Sequence, residues 1–519
     1  MMRRCFVVLC LVSLTAFATP IALAAGDRSG EIVVGTDQNT TTMDPALYQD
    51  AASSQVMYHV YETLVRYNGP MTEVVPCIAE SWSFSEDLRT WTFRLRGGVR
   101  FQKTDNQPGR EITAEDVKYS FERAARIAPM KRLFMLDHVE VVDACTAKLV
   151  LNQPFAALLA VLTDVGAAVV PKEDVEQWGA DFTLHPVGSG PYRMVEWVKD
   201  SHMTLALDEN YWDAEHKPFP KKITFRYITN KTAMTTALLS GQVHVTREVL
   251  DQDVSKIRAA AGYDIVSAAP CNVYAFYMNS VKGPTTDPKV RELFFRAVDV
   301  EQIAKVLFPG ESGRAAYGPI PPGTWAYNPD VRSFYTKHDP ARAVELLKEL
   351  GKKPGELKLK IYTSEDERRK KAAVIAQAML RKVGVDVEVI SLEWGSFMGV
   401  TAKADADIYA IGWTWYPDPL FFIYYMFHSE KKGSYGNGGA YSNPEVDALI
   451  NKAAATGKQE DRIRYYRQAE ELIMKDRCYY PLYHLVPLNG VDKRLRDYHP
   501  ATNGVIRLFG PGYSAWLSD

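Results

Sequence analysis

The sequence predicts an α/β protein of at least two lobes, on three observations. The chain has 519 residues, well beyond the roughly 250–300 at which single hydrophobic cores stop growing. Residues 357–390 read as strand, helix, strand. Capping residues, Gly and Pro punctuate periodic apolar segments along the chain, with no internal repeat, low-complexity tract or flexible linker between residues 30 and 500. The lobes are therefore expected to join by short crossings, not by one tether.

Taken in order, the first 25 residues carry Arg3 and Arg4, the apolar run Cys5 to Ala18 and the small-residue end Ala22-Leu23-Ala24-Ala25, the three-part pattern of a secretory signal peptide. The run is short for spanning ~30 Å of hydrocarbon, so cleavage after Ala24 or Ala25 is expected in place of a retained anchor. Cys10 follows the large Val8 and Leu9 and reads as part of the apolar run, not as a lipidation site. No later segment reads as a membrane span. The formal charge of −2 becomes more negative when Arg3 and Arg4 leave, so nothing electrostatic calls for nucleic acid or anionic lipid.

Residues 82–96 (WSFSEDLRTWTFRLR) set Trp91, Phe93 and Leu95 on one face and Thr92, Arg94 and Arg96 on the other, a hairpin with one wet side. Thr113-Ala-Glu-Asp116 has the form of a capping box, with Val117, Phe121 and Ala124 as the buried stripe behind it. Asp287-Pro288, Asp339-Pro340 and Asn443-Pro444 each pair a side-chain acceptor with Pro at the first helical position and start helices. Leu357 to Tyr362 alternates as a strand, Glu365 to Val383 carries an amphipathic stripe stopped by Gly384, and Val385 to Ile390 alternates again. Such a unit has parallel strands and a right-handed crossover. Asp407 to Gly412 adds a further strand to that sheet.

Local catalytic grammar is missing. The ten histidines form no zinc motif, Val187 replaces the first glycine of a nucleophile elbow at Gly188-Ser189-Gly190, and there is no phosphate-binding glycine loop. No cofactor, no metal and no catalytic residue is expected. Cys77, Cys145, Cys271 and Cys478 are compatible with one or two disulfides in an exported protein or with buried free thiols.

The positive anomaly is aromatic, with 28 Tyr and 10 Trp. Trp413, Trp415 and Tyr416 fall just past the predicted strand 407–412, and in open α/β sheets ligands bind outside the carboxyl ends of strands. Large rings there offer contact area at low entropic cost; the competing reading is that one ring plugs the core and the others fill the seam between lobes. Trp394 stands past another strand's carboxyl end and carries the same two readings.

Several segments together resemble the family 5 solute-binding proteins, the extracellular receptors of peptide, nickel and opine ABC importers. "TTMDPALYQDAASSQVMYHVYETLVRYN" is similar to the family's opening Leu-Asp-Pro and Tyr-Glu-x-Leu-Val segment. "VVPCIAESWSFSEDLRTWTFRLRGGVRF" with "ITAEDVKYSFER" resembles its long P-x-L-A-E-S-W to A-E-D-V signature. "PVGSGPYRMVEW" followed by "NYWD", and "SNPEVDALINKA", resemble later family segments. The matches run in order from about residue 32 to 483.

The resemblance implies a two-lobed periplasmic binding protein fold: a signal peptide over 1–25, a large lobe from 26–270 plus 487–519 with an inserted subdomain at about 58–185, and a second α/β lobe over 271–486. The crossings are expected near Pro270 to Tyr274 and Pro481 to Pro487, with hinge closure over a buried solute. The implied function is capture of a small solute, a peptide or peptide-like molecule, by a monomeric periplasmic protein that delivers it to an inner-membrane ABC permease. By the same analogy Asn39 and Thr40, just before the Met-Asp-Pro match, line the cleft from the large lobe. One departure matters. Peptide-binding members commonly show W-x-x-D-x-x-D-P, the first Asp pairing with the peptide's ammonium group. Here Trp413-Thr-Trp-Tyr-Pro-Asp-Pro is one residue shorter and lacks that Asp, while Asp418-Pro419 matches the second, read as a structural turn or cap. Carbohydrate, cationic or metal-chelate ligands are therefore alternatives, as is an exported hydrolase or transferase on the same fold.

Overall fold

The computed structural model describes residues 28–69, 71–433 and 436–519; the signal peptide expected over 1–25 lies outside the described residues. Three sheets organise the chain. A seven-stranded sheet runs in the order Tyr263–Ser267, Leu488–Asp492, Val245–Thr246, Glu31–Thr36, Lys222–Tyr227, His202–Leu207, Tyr192–Val198. Its central strand Glu31–Thr36 is parallel to both neighbours, and it forms the heart of the large lobe. An antiparallel four-stranded sheet, Ala79–Phe84, Thr90–Leu95, Thr146–Leu151 and Leu136–Asp143, is inserted between the first and second halves of that lobe.

A six-stranded sheet forms the second lobe, in the order Gly313–Ala315, Tyr479–Leu485, Asn272–Met278, Ile408–Thr414, Lys358–Ser364, Asp386–Leu392. Within it Lys358–Ser364 is parallel to Asp386–Leu392 across the helix Glu367–Lys382, as the 357–390 pattern requires. The alternation has its physical cause in the burial. Leu359 and Ile361 are fully buried while Lys358 and Lys360 are exposed.

The chain passes between the two large sheets twice. It leaves the seven-stranded sheet at Ser267 and enters the six-stranded one at Asn272, then returns between Leu485 and Leu488. Asn272 ties the crossings together: its amide donates to the Leu485 carbonyl at 2.8 Å and its side-chain oxygen accepts from the Leu485 N–H at 2.7 Å.

Local chemistry sets the boundaries. Asp287, Asp339 and Asn443 cap the helices Pro288–Ala297, Pro340–Glu349 and Pro444–Ala454 with their side-chain oxygens, satisfying N–H groups the helices cannot. Thr113 and Asp116 form the capping box of Ala114–Ile127. Trp91, Phe93 and Leu95 are buried under that helix with Val117 and Phe121, leaving Arg94 exposed. Boundaries shift by one or two residues from the sequence expectation, and one shift bears on the site: the strand predicted over 407–412 extends to Thr414, because Val273 and Asn272 pair with Trp413 and Thr414. All four described cysteines are free thiols, with Cys145 exposed. Much of the tyrosine content packs the second lobe, where Tyr277 and Tyr409 stack at 5.5 Å and Tyr480 donates to the Val298 carbonyl. No helix among the described residues is long and apolar enough to cross a membrane.

Candidate solute-binding cleft

The strand Ile408–Thr414 ends against the crossings, and its alternating side chains face two different surroundings. Gly412 has no side chain because the Tyr274 ring lies across it; a Cβ there would collide with the ring. Tyr274 in turn stacks on Tyr483 at 4.7 Å and 15°. Thr414, on the same face as Gly412, opens into a cavity of about 400 Å³ between the lobes. Lys231, Glu248 and Asp251 wall it from the large lobe, and Tyr274, Arg368 and Thr414 from the second.

The charges in this cavity are unevenly satisfied. Lys231 bonds Glu248 and lies 3.9 Å from Asp37. Arg247 lies 3.6 Å from Asp37 and 3.8 Å from Glu248. Burial pushes the Glu248 carboxyl up, but Lys231 and Arg247 outweigh it and hold the group below its ordinary range. Asp251 reaches across to the second lobe and accepts from the N–H groups of Glu311 and Ser312 at 2.8 Å and from the Ser312 hydroxyl at 2.7 Å. Both carboxylates are thus committed. Arg368, in the first turn of Glu367–Lys382, has no ion pair or hydrogen bond among the described residues.

Trp413 points from the other face of the strand, and Trp415 and Tyr416 follow its end at Thr414. The two indoles stack at 5.5 Å and 19°, and Trp415 continues the ladder onto Tyr425 at the same spacing. Tyr425 meets Phe134 of the inserted layer edge-on at 5.8 Å, so the ladder lies in the seam between the lobes. Tyr416 packs edge-on against Phe421 at 4.8 Å. Burial first, and then the charge of Asp164, push the Tyr416 hydroxyl well above the usual phenol range. Asp164 is a large-lobe group already bonded by Tyr48 at 2.6 Å and Arg132 at 3.1 Å. The Trp415 indole nitrogen is buried without a hydrogen-bond partner.

None of these three residues lines the 400 Å³ cavity. Nor do the other predicted positions. Asn39 donates to Asp200 in the turn between the edge strand Tyr192–Val198 and its neighbour His202–Leu207, and Thr40 is buried beside Tyr227. Trp394 is 44% exposed and lies 5.5 Å from the Arg369 guanidinium. Asp418 caps a turn by accepting from the Leu420 N–H at 2.9 Å and pairs with Arg462 at 2.8 Å, both buried. Sequence reasoning missed Lys231, Arg247, Glu248, Asp251 and Arg368, which stand in unrelated segments; Arg368 hides in a charged run (DERRKK) that reads as a solvated helix start.

Comparison with known proteins agrees with this geometry. The family model for bacterial extracellular solute-binding proteins, family 5 (middle), matches residues 73–434. The chain is 30% identical over 489 residues, covering 92% of each chain, to the probable D,D-dipeptide-binding periplasmic protein DdpA of Escherichia coli (strain K12). It is 27% identical to heme-binding protein A of Haemophilus influenzae, with 96% of this chain and 98% of that one covered. Among solved structures, the periplasmic binding protein DppA of Helicobacter pylori in complex with the peptide STSA superposes with a TM-score of 0.79 at 27% identity, over 95% of this chain and 99% of that one. The two sheets, the paired crossings and a cavity walled from both sides are what such a receptor requires, and the chain belongs to the family 5 extracellular solute-binding proteins, the solute-capturing components of ABC importers.

Proposed function

We propose that this chain captures a short peptide or peptide-like solute by its carboxylate end in the inter-lobe cavity. The observation that carries the reading is Arg368: a guanidinium lining the cavity with no ion pair or hydrogen bond among the described residues, acting on Glu248 only through space, while Glu248 and Asp251 are bonded to other groups. A charge-assisted, bidentate bond to a carboxylate is the arrangement for which Arg is suited. The cavity of about 400 Å³ falls within the roughly 300–1,000 Å³ of small-molecule sites. The names of the relatives, a D,D-dipeptide-binding protein and a receptor holding the peptide STSA, support the peptide class. The segment Trp413-Thr-Trp-Tyr-Pro-Asp-Pro lacks the Asp that pairs with a peptide ammonium in relatives, so in this reading recognition rests on the carboxylate end.

In this reading, residues 26–270 with 487–519 and residues 271–486 are the two jaws, turning about the Asn272–Leu485 clamp. Trp413, Trp415 and Tyr416 shape the seam that closes over the solute, and Asn39, Thr40 and Trp394 stand outside the carboxylate contact. The protein is exported by a signal cleaved near Ala24 or Ala25, works as a periplasmic monomer without enzymatic turnover, and hands its solute to an inner-membrane permease.

The test is calorimetry on mature protein that has been unfolded and refolded to release carried solute. Di- and tripeptides with free carboxylates are expected to bind, and their C-terminal amides to bind more than about tenfold more weakly, a difference of about 1.4 kcal/mol. Equal affinity for acids and amides would remove Arg368 from recognition.

A further inference from the structure

A second, smaller cavity lies wholly within the large lobe, between the helix Ala51–Val60, the strand Val65–Tyr67 and the C-terminal loop around Pro511. Its volume of about 50 Å³ is several times the roughly 10–15 Å³ that one water needs on this measure and far below that of a peptide. Two arginines face it. Arg507 lies with its guanidinium 3.5 Å over the Tyr58 ring; it has no ion pair and no hydrogen bond among the described residues, and its Nε is buried. Arg66 also has a buried Nε without a partner, and the carboxylate paired with it, Glu62, is 4.0 Å away.

Glu62 offsets at most one of the two charges, through its long contact with Arg66, and gives neither arginine a hydrogen bond. Its two oxygens are taken by the Ser189 hydroxyl at 2.9 Å, the Tyr211 hydroxyl at 2.7 Å and the Trp212 indole N–H at 2.7 Å. Asp213 and Asp497 act only from outside the cavity lining, on Arg66 and Tyr513 respectively. Both guanidinium groups, with Tyr513, line the same cavity. Two cations therefore face one committed carboxylate across a hollow of anion size.

We propose that this cavity is a small-anion site, holding a carboxylate or a chloride-sized ion between Arg507 and Arg66 on the floor made by Tyr58. The fork of unpartnered N–H groups matches a planar carboxylate, and the stacked tyrosine fixes the Arg507 plane. The site does not depend on which solute the inter-lobe cavity takes. The two cavities share no lining residue, and the occupant is a free anion.

Chloride NMR line broadening on refolded, solute-free protein tests the proposal, with acetate as competitor. The wild type is expected to broaden the chloride line saturably, and acetate to reverse it. Arg507→Gln and Arg66→Gln should each weaken acetate about tenfold, the scale of one charge-assisted bond, and Arg507→Lys should fall between because the charge remains and the fork is lost. Circular dichroism establishes that each variant is folded; if Arg507→Gln is not, Arg66→Gln decides. Folded glutamine variants that broaden chloride and release it to acetate as the wild type does would overturn the proposal.

Discussion

On one side of the strand Ile408–Thr414 lies a polar cavity in which a guanidinium waits without a partner; on the other lies a ladder of rings, Trp413, Trp415, Tyr425 and Phe421, in which each ring has another against it. Adjacent residues of the strand serve the two, Thr414 the cavity and Trp413 the ladder, because successive side chains of a strand point to opposite faces. Stacked rings satisfy one another and gain by excluding water. A half-buried guanidinium with no bonded partner keeps its N–H groups available to an arriving anion. Between the two regions, unmet chemistry is the better pointer to a ligand than aromatic density.

The largest expected effect concerns the support beneath the ladder. Asp418 and Arg462 are both buried and bonded at 2.8 Å, and the Arg462 guanidinium lies 4.8 Å over Trp325. Removing the carboxylate leaves a buried charge unpaired, which costs about 3–5 kcal/mol. Asp418→Ala should therefore lower the denaturant midpoint of the protein severely. A variant as stable as the wild type would show that the ladder side does not carry the structure of this lobe.

Arg368→Gln should do the opposite. With no bond to lose, its stability should stay within about 0.5 kcal/mol of the wild type, while affinity for carboxylate solutes falls by about 2 kcal/mol, the scale of a hydrogen bond to a charged group. Calorimetry and thermal melting on the same sample separate the two. Loss of stability without loss of affinity would return Arg368 to the surface helix that its sequence suggests.

The fold was legible where physics is local. Alternation at Leu359 and Ile361, the Asp287, Asp339 and Asn443 caps, and the Thr113 capping box each depend on residues within a few positions, and each appears as read. The cavity was not legible for the opposite reason. Lys231, Asp251, Tyr274 and Arg368 meet only because the chain crosses between the sheets twice, and no spacing records that. The tryptophans drew attention because their type is rare, yet type alone does not say whether a ring faces a ligand or another ring; the two-residue extension of the strand to Thr414 turned Trp413 away from the cavity that Thr414 faces.

Trp415→Ala sharpens the comparison further. The ring is half-buried in the seam and touches Trp413, Tyr425 and Phe421. We expect solute affinity to fall about tenfold, 1.4 kcal/mol, because the closed seam loses its central ring, accompanied by a lower melting temperature. A loss of affinity at unchanged stability would make the ladder a ligand wall in its own right and erase the contrast between the two faces.

The smallest effect should come from Tyr416→Phe, which removes only a hydroxyl. That oxygen belongs to the second lobe, and the charges that act on it, Asp164 and Arg132, belong to the large one, so the contact exists only when the lobes are together. Asp164 keeps Tyr48, the Gly166 N–H and Arg132, and loses a donor it does not need, which keeps the cost to about 1 kcal/mol. Because the loss falls on the closed form alone, it should appear as weaker solute binding through faster release, with each lobe's own stability unchanged. Stopped-flow release rates that match the wild type would place the Tyr416 hydroxyl among ordinary surface groups and leave closure to the Asp251 bonds with Glu311 and Ser312 on the cavity side.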